Sequence, residues 1–225
     1  MSEASEKILA ERLLALFWSL QRGASDQTCL VRWSSFIRTR DGYACLICGS
    51  STRISAHHIC RKSFLKEACF EPGNGVTLCA SCHREAHEGF NGRPNLQLPM
   101  DAEGGEKIEK LAELYALLAN ASLARENKNP YFYYLSKRTL KRFKMFQGFA
   151  PNQRFCGTRI QQAAIIWRSP PNNIIQALIA KNFSSSELNS AVYRIAASGE
   201  LMAQTLRPGG LQIIVNPSNP PSSVS

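Results

Sequence analysis

The stretch "GVTLCASCHREAH", residues 75–87, decides the fold, because it joins a short β-prone run to a C-x2-C pair and two histidines. A second C-x2-C pair, "CLIC" at 45–48, lies thirty residues upstream, further than in a simple zinc ribbon. Four thiolates in two such pairs suit a closed, tetrahedral zinc site with a structural role. We therefore predict a structural zinc site formed by Cys45, Cys48, Cys79 and Cys82.

All four histidines of the chain fall within one window of 31 residues. Because cysteines already saturate the zinc, the imidazoles need another role. "TRISAHHI" is typical of a strand that ends at the histidine pair, "GVTLC" of a second strand, and "ASCHREAHEG" of a helix that closes at Gly89. His83 and His87 then share one helix face and can bind one ion together. The pattern predicts a β-hairpin with a helix packed across it.

In this order, "RDGYACLICG", "AHHI" and "NGVTLCASCHREAH" closely resemble the HNH endonucleases, whose ββα-metal fold is here braced by a zinc ribbon. The resemblance covers residues 38–90. The steps of 16, 9 and 4 residues from His58 through Asn74 and His83 to His87 are similar to those in the nuclease domains of the DNA-degrading colicins.

The resemblance implies a role for each residue of the motif. His58 is the general base that takes a proton from the attacking water, and an imidazole suits this task at neutral pH. Asn74 bonds to the base or its backbone and fixes its orientation. A catalytic divalent cation is held by His57, His83 and His87. His87 is the weaker assignment among these three ligands. The products carry 5′-phosphate and 3′-hydroxyl ends.

One departure from the family concerns the metal. Most members have aspartate before the general base, whereas this chain has His57. Imidazole ligands favour borderline cations over hard Mg²⁺. The candidate ions are therefore Mn²⁺, Ni²⁺, Co²⁺, Zn²⁺ and Mg²⁺, and we expect Mn²⁺, Ni²⁺ or Co²⁺ to support cleavage better than Mg²⁺.

The formal net charge of +10 predicts a polyanionic partner. Much of the excess lies in residues 131–170, which hold eight Lys or Arg and no acidic residue. A solvated basic helix face remains an alternative for these charges. The aromatic side chains of the same segment could stack on bases or could simply pack against the core. The candidate DNA-binding residues are Arg61, Lys62, Arg84, Lys137, Arg138, Lys141, Arg142 and Lys144. For Arg40 and Asp41 we expect a turn or an ion pair rather than chemistry.

The predicted fold class is α+β, in which a ββα-metal HNH module with its zinc ribbon is flanked by helices and followed by a small winged helix-turn-helix-like domain. Two β-prone runs around Pro208, Gly209 and Gly210 supply the wing. The predicted units are a helical segment (1–37), the HNH module (38–90), a linker (91–105), a helical basic segment (106–170), the winged-helix-like unit (171–215) and a disordered tail (216–225).

We expect a metal-dependent endonuclease that acts on double-stranded DNA, of the restriction type or from a phage or mobile element. The alternative is a non-catalytic zinc-ribbon DNA-binding protein, and an RNA-directed nuclease is less favoured. The apolar run at 8–20 is too short and too polar to cross a bilayer, so we expect no membrane partner and a cytoplasmic protein of bacterial or phage origin. Cutting both strands would suggest a homodimer, although no sequence feature demands one.

Overall fold

The computed structural model describes residues 3–63, 65–87, 108–124, 129–169, 203–207 and 210–214. It is an α+β structure. The helices are α1 (Glu3–Gln21), α2 (Asp26–Arg40), α3 (Ala80–Ala86), α4 (Ile108–Ala124), α5 (Lys137–Phe146) and α6 (Arg159–Arg168). The strands are β1 (Ile54–His58), β2 (Gly75–Cys79), β3 (Ala203–Arg207) and β4 (Gly210–Ile214). Within these ranges no helix is long and apolar enough to cross a membrane.

Helices α1 and α2 form a hairpin that packs against the rest of the core. Gly23 follows the end of the first helix at φ +65°, a left-handed conformation that favours glycine. Ser25 caps the second helix, because its hydroxyl accepts a hydrogen bond from the backbone N–H of Thr28. Leu9, Leu13 and Leu16 of α1 are buried in the same core as Trp33 and Phe36 of α2.

The predicted β-hairpin with a helix across it is present. Strands β1 and β2 pair antiparallel, with Ile54 opposite Cys79 and His58 opposite Gly75. Every residue of β2 is buried, because α2 and α3 both contact the two strands. Helix α3 ends at Ala86, before the predicted Gly89. At this end the N–H of His87 bonds to the Arg84 carbonyl and tightens the last turn. Gly89 lies outside the described residues.

The first cysteine pair is held against β2 by a backbone hydrogen bond. The N–H of Leu46 donates to the carbonyl of Thr77 at 2.9 Å. Within the loop, the N–H of Cys45 bonds to Ser50 and the N–H of Gly49 bonds back to Cys45, which closes a tight turn. Gly49 takes φ +73°, a conformation that glycine adopts at little cost. The turn therefore delivers both thiols of "CLIC" to the end of the hairpin.

Arg40 and Asp41 form the expected ion pair, and it is fully buried. Arg40 Nε lies 2.8 Å from Asp41 Oδ1. The guanidinium also donates to the carbonyls of Pro72 and Gly75, at 2.7 and 2.6 Å, and the other carboxylate oxygen accepts from the N–H of Thr77 at 2.7 Å. The pair thus fastens the end of α2 to the start of β2.

Helices α4, α5 and α6 share one hydrophobic core with the ββα unit. Helix α4 packs on α6. Helix α5 also packs on α6, where the rings of Phe143 and Trp167 meet edge to face with centroids 5.2 Å apart. The hydroxyl of Tyr115 donates to the side-chain oxygen of Asn74 at 2.9 Å. The helical segment is therefore packed directly onto the hairpin that carries the histidines.

At the C-terminal end, β3 and β4 pair antiparallel, with Ala203 opposite Ile214 and Arg207 opposite Gly210. This hairpin agrees with the two β-prone runs that the sequence predicts around Pro208, Gly209 and Gly210. The predicted helices between 171 and 202, the linker at 91–105 and the tail at 216–225 lie outside the described residues.

Replacing Arg40 with leucine is expected to destabilise the fold by about 3–5 kcal/mol, because it leaves the buried Asp41 carboxylate and two carbonyls without their donor. Urea unfolding of the zinc-loaded protein, followed by circular dichroism, measures this. The control is Arg32→Ala, an exposed arginine on the same helix, with an expected change within about 0.5 kcal/mol. Equal stability of the two variants would contradict the assignment.

Candidate active site

The structure brings together the four cysteines that the sequence predicts as metal ligands. The sulfur atoms of Cys45, Cys48, Cys79 and Cys82 all lie within 4.8 Å of one another. The Sγ atoms of Cys48 and Cys79 are 3.6 Å apart. Two thiolates on one tetrahedral zinc lie about 3.8 Å apart, given a Zn–S distance of about 2.3 Å. A disulfide would place them about 2.0 Å apart. The cluster therefore fits a structural metal ion, and all eight cysteines are free thiols.

Local hydrogen bonds prepare one of these thiols for a metal. The hydroxyl of Ser81, 3.2 Å from Cys79 Sγ, and the backbone N–H of Cys82 lower the pKa of Cys79 to about 6. Cys79 is therefore largely thiolate at neutral pH, which is the form that binds metal. Burial raises the pKa of the Cys82 thiol, so its proton leaves only when a cation binds.

Three of the four histidines form a second cluster. His57 on β1 faces α3, where His83 and the capping residue His87 lie on one side. Their ring centroids are 4.8 to 4.9 Å apart, and their ligand nitrogens lie within 4.8 Å of one another. The Nε2 atoms of His83 and His87 are 3.1 Å apart. The ligand nitrogens of two imidazoles on one tetrahedral ion would lie about 3.3 Å apart, so this cluster also fits a cation.

The histidine cluster is neutral, and its members keep the lone pairs that a cation requires. Burial and the neighbouring His83 hold the pKa of His57 well below its usual range. Burial also lowers the pKa of His83 and, with His83 and Arg61 nearby, lowers that of His87 to about 4. Among the described residues no carboxylate joins the cluster. An all-imidazole set suits Zn²⁺, Ni²⁺, Co²⁺ or Mn²⁺ better than Mg²⁺.

Hydrogen bonds orient two of these rings differently. His83 Nδ1 shares a hydrogen bond of 3.1 Å with the hydroxyl of Ser55, and Nε2 is the ring nitrogen that faces His87. A guanidinium N–H of Arg61 lies 3.3 Å from Nδ1 of His87. Because arginine can only donate, the neutral His87 ring carries its proton on Nε2, the atom that faces His83. His87 would bind a cation through Nε2 only after this contact breaks, which makes it the weakest of the three ligands.

His58 does not join the cluster, because neighbouring side chains of a strand point to opposite faces. Its ring lies on the α2 side of the hairpin, stacked on Trp33. Its Nε2 lies 2.9 Å from the carbonyl of Cys69, which can only accept, so Nε2 carries the proton. Burial lowers the pKa of His58. The ring is thus neutral, and Nδ1 has the lone pair that can accept a proton.

Asn74 is fully buried and binds the backbone just beyond His58. Its carbonyl accepts from the N–H of Ile59 at 3.0 Å, and its side chain makes a pair of hydrogen bonds with the backbone of Cys60 at 2.9 and 3.0 Å. A further bond reaches the carbonyl of Ala68. Asn74 therefore fixes the chain that follows β1, and these hydrogen bonds go to the backbone rather than to the ring of His58.

The candidate DNA-binding residues are spread over two regions. Lys62 and Arg84 are exposed near the histidines, whereas Arg61 is partly buried beside His87. On α5, Lys137, Arg138, Lys141 and Arg142 are exposed and Lys144 is partly buried. Arg138 and Arg142 pair with Glu67 at 3.7 and 3.2 Å, and Lys144 donates to the carbonyl of Gln153.

The aromatic side chains of the basic segment divide between the two readings that the sequence leaves open. Phe132, Tyr133 and Phe143 are buried, which favours packing for these three. Tyr131 is 55% exposed and lies in contact with the ring of Tyr134, which the Arg159 guanidinium covers. Most of the aromatic content therefore anchors the basic segment to the core.

No protein-family model, curated protein or solved structure matches the chain. The two candidate metal clusters therefore rest on the geometry described above. The likeness to the HNH endonucleases remains a resemblance carried by the motif.

Sequence reasoning missed four residues that shape the site: Trp33, Ser55, Cys69 and Tyr115. Trp33 and Tyr115 come from helices far away in the chain and reach His58 and Asn74 only through packing. Ser55 precedes the histidine pair by two residues, so strand alternation could have placed it on the same face as His57. The Cys69 contact uses its backbone carbonyl, for which no side-chain pattern gives a signal.

Replacing Cys79 with serine is expected to remove the bound metal and unfold the hairpin, because zinc ligation supplies much of the folding free energy of such small units. Metal content per chain by mass spectrometry and the circular dichroism spectrum measure this. The matched control is Cys156→Ser, which changes an exposed thiol outside the cluster and should keep both. A Cys79→Ser protein with full metal content would contradict the structural site.

Proposed function

We propose that this protein is a metal-dependent HNH endonuclease that hydrolyses phosphodiester bonds in double-stranded DNA and leaves 5′-phosphate and 3′-hydroxyl ends. One observation carries the proposal. His57 belongs to a three-histidine cluster that fits a cation, and the next residue of β1 is His58, a neutral imidazole whose ring is held by a stack and a backbone hydrogen bond. A zinc ribbon that only braces or binds does not require this second set of histidines.

His58 is the proposed general base. Its Nε2–H donates to the Cys69 carbonyl, which leaves Nδ1 to take a proton from the water that attacks phosphorus. The lowered pKa of this ring keeps it unprotonated, and hence able to act as a base, at neutral pH. Asn74 holds the chain after His58 in place through the backbone of Ile59 and Cys60.

His57 and His83 would hold the catalytic cation, with His87 as the third ligand once its Arg61 contact is released. When bound, the cation supplies a positive charge for a phosphate oxygen and for the leaving 3′ oxygen. Ser55 keeps His83 turned so that its Nε2 faces the site. Arg61, beside the cluster, is suited to a phosphate group of the substrate.

The exposed cations of α5 are the proposed surface for the DNA backbone. They contact phosphate rather than base edges, so this surface adds affinity without sequence preference. Glu67 neutralises part of the charge of Arg138 and Arg142 and ties them to the segment that follows β1. Lys137 and Lys141 are therefore the best candidates for contacts with phosphate.

Replacing His58 with alanine is expected to lower the rate of plasmid nicking by about 10²–10⁴-fold, the usual contribution of a general base. The assay follows supercoiled plasmid with each of Mn²⁺, Ni²⁺, Co²⁺, Zn²⁺ and Mg²⁺. Titration calorimetry should show the second divalent cation still bound in His58→Ala and lost in His83→Ala, because only the latter removes a ligand.

The control for this experiment is Arg32→Ala, which should cut at the wild-type rate. Nicking by His58→Ala at the wild-type rate would refute the role of His58. If neither wild type nor variant nicks DNA with any metal while both shift it on a gel, the alternative of a non-catalytic zinc-ribbon DNA-binding protein replaces the proposal. A parallel RNA substrate tests the choice of DNA.

Removing the charges of both Lys137 and Lys141 is expected to weaken DNA binding by the same factor for duplexes of unrelated sequence. The slope of log Kd against log salt should fall by about 2, since two phosphate contacts are lost. Fluorescence anisotropy at several salt concentrations measures it. The matched control is the double variant Lys7→Ala and Arg32→Ala, which removes two exposed charges from the α1–α2 hairpin. Equal effects of the two double variants would exclude α5 as the DNA surface.

A further inference from the structure

The indole of Trp33 covers one face of the His58 imidazole. The two ring centroids are 4.1 Å apart, and the ring planes differ by only 6°. Trp33 is 1% exposed and belongs to α2, which packs against both strands of the hairpin. The indole N–H donates to the carbonyl of Glu71 at 3.2 Å, which fixes the plane of the indole itself.

The hairpin provides space for this stack at a specific residue. His58 pairs with Gly75 across the two strands. A Cβ at residue 75 would lie 2.4 Å from Trp33 Cζ2 and 2.9 Å from Ile37 Cδ1, which is too close for either neighbour. The glycine opposite His58 thus allows the indole to reach the imidazole.

The stack and the Cys69 hydrogen bond restrict different motions of the ring. The torsion about the Cβ–Cγ bond of histidine is broad and roughly two-fold, so a ring held at one atom can still rock or flip. A flip exchanges Nδ1 with a carbon atom and removes the proton acceptor. A flat contact with a fixed indole opposes rocking out of the plane, and the bond from Nε2 selects one of the two flipped orientations.

We propose that Trp33 is a positioning residue for the general base, and this inference rests on the proposed nuclease function. By holding the His58 plane, it keeps Nδ1 directed toward the water that attacks phosphorus. Its effect falls on the chemical step, because misplacing a reacting group by about 1 Å can cost about 10²-fold in rate. Trp33 is buried, so its loss should leave DNA affinity unchanged.

The experiment compares Trp33→Leu, which removes the stack, with Trp33→Phe, which keeps an aromatic ring. The control is Phe36→Leu, a fully buried aromatic of the same helix that contacts Phe132 instead. All variants are first checked for bound metal and for a folded circular dichroism spectrum at the assay temperature. Single-turnover cleavage then gives the rate at saturating DNA and the DNA concentration for half-maximal rate.

The expected result is that Trp33→Leu lowers the saturating rate by about 10–100-fold without changing the half-maximal concentration. Trp33→Phe should recover most of the loss. Phe36→Leu should lose stability and keep the rate. A rate for Trp33→Leu equal to that of Phe36→Leu, in folded and metal-loaded protein, would overturn the positioning role while leaving the nuclease proposal intact.

A second readout does not depend on cleavage. In NMR spectra, the carbon-bound ring protons of His58 should be shifted upfield by the indole in the wild type and should move downfield in Trp33→Leu. Unchanged His58 shifts in Trp33→Leu would show that no stack exists and would overturn the inference at its geometric step. A wild type that shows the stack and cuts no DNA would overturn the proposed function, and the positioning role with it.

Discussion

The convergence of four cysteines at one end of a short hairpin is the constraint on which the rest of the structure depends. Strands β1 and β2 have five residues each, and a two-stranded hairpin of that length is marginal on its own in water. The cluster joins the loop before β1 to the residues that end β2 and start α3. Because α3 starts at this point and runs back across the hairpin, His83 and His87 reach His57. The cluster that fits a structural metal therefore also determines where the three histidines meet.

The hairpin also places two adjacent histidines in different surroundings. Strand alternation sends His57 toward α3 and His58 toward α2. One ring therefore joins a set of neutral ligands, while the other is held by Trp33 and the Cys69 carbonyl. In the proposed function the first ring binds the cation and the second moves a proton. The helices around the hairpin take part in this arrangement, since α2 supplies Trp33 and α4 supplies the tyrosine that bonds to Asn74.

The parts of the site that local spacing encodes could be predicted from sequence. Two C-x2-C pairs, a histidine pair at the end of a strand and two histidines four apart on a helix face are patterns of a few residues, and the structure brings both sets together. The predicted end of α3, with Gly89 as its C′ glycine, lies beyond the observed end at Ala86, because a tightened last turn at His87 has no residue signature. The Trp33 stack, the Tyr115 bond and the pairing of Glu67 with Arg142 join residues 25 to 75 positions apart. Such contacts arise from tertiary packing, and a single sequence does not encode them in its spacing.

The most direct test of the account is anomalous X-ray diffraction from crystals of the zinc-loaded protein soaked in Mn²⁺ or Co²⁺. Two separate peaks are expected. One is zinc among the four cysteine sulfurs, and the other is a second cation about 2.0–2.3 Å from nitrogens of His57 and His83, with the His58 ring still stacked on Trp33. A single peak at the cysteines, with the rings of His57 and His83 turned away from each other, would contradict it.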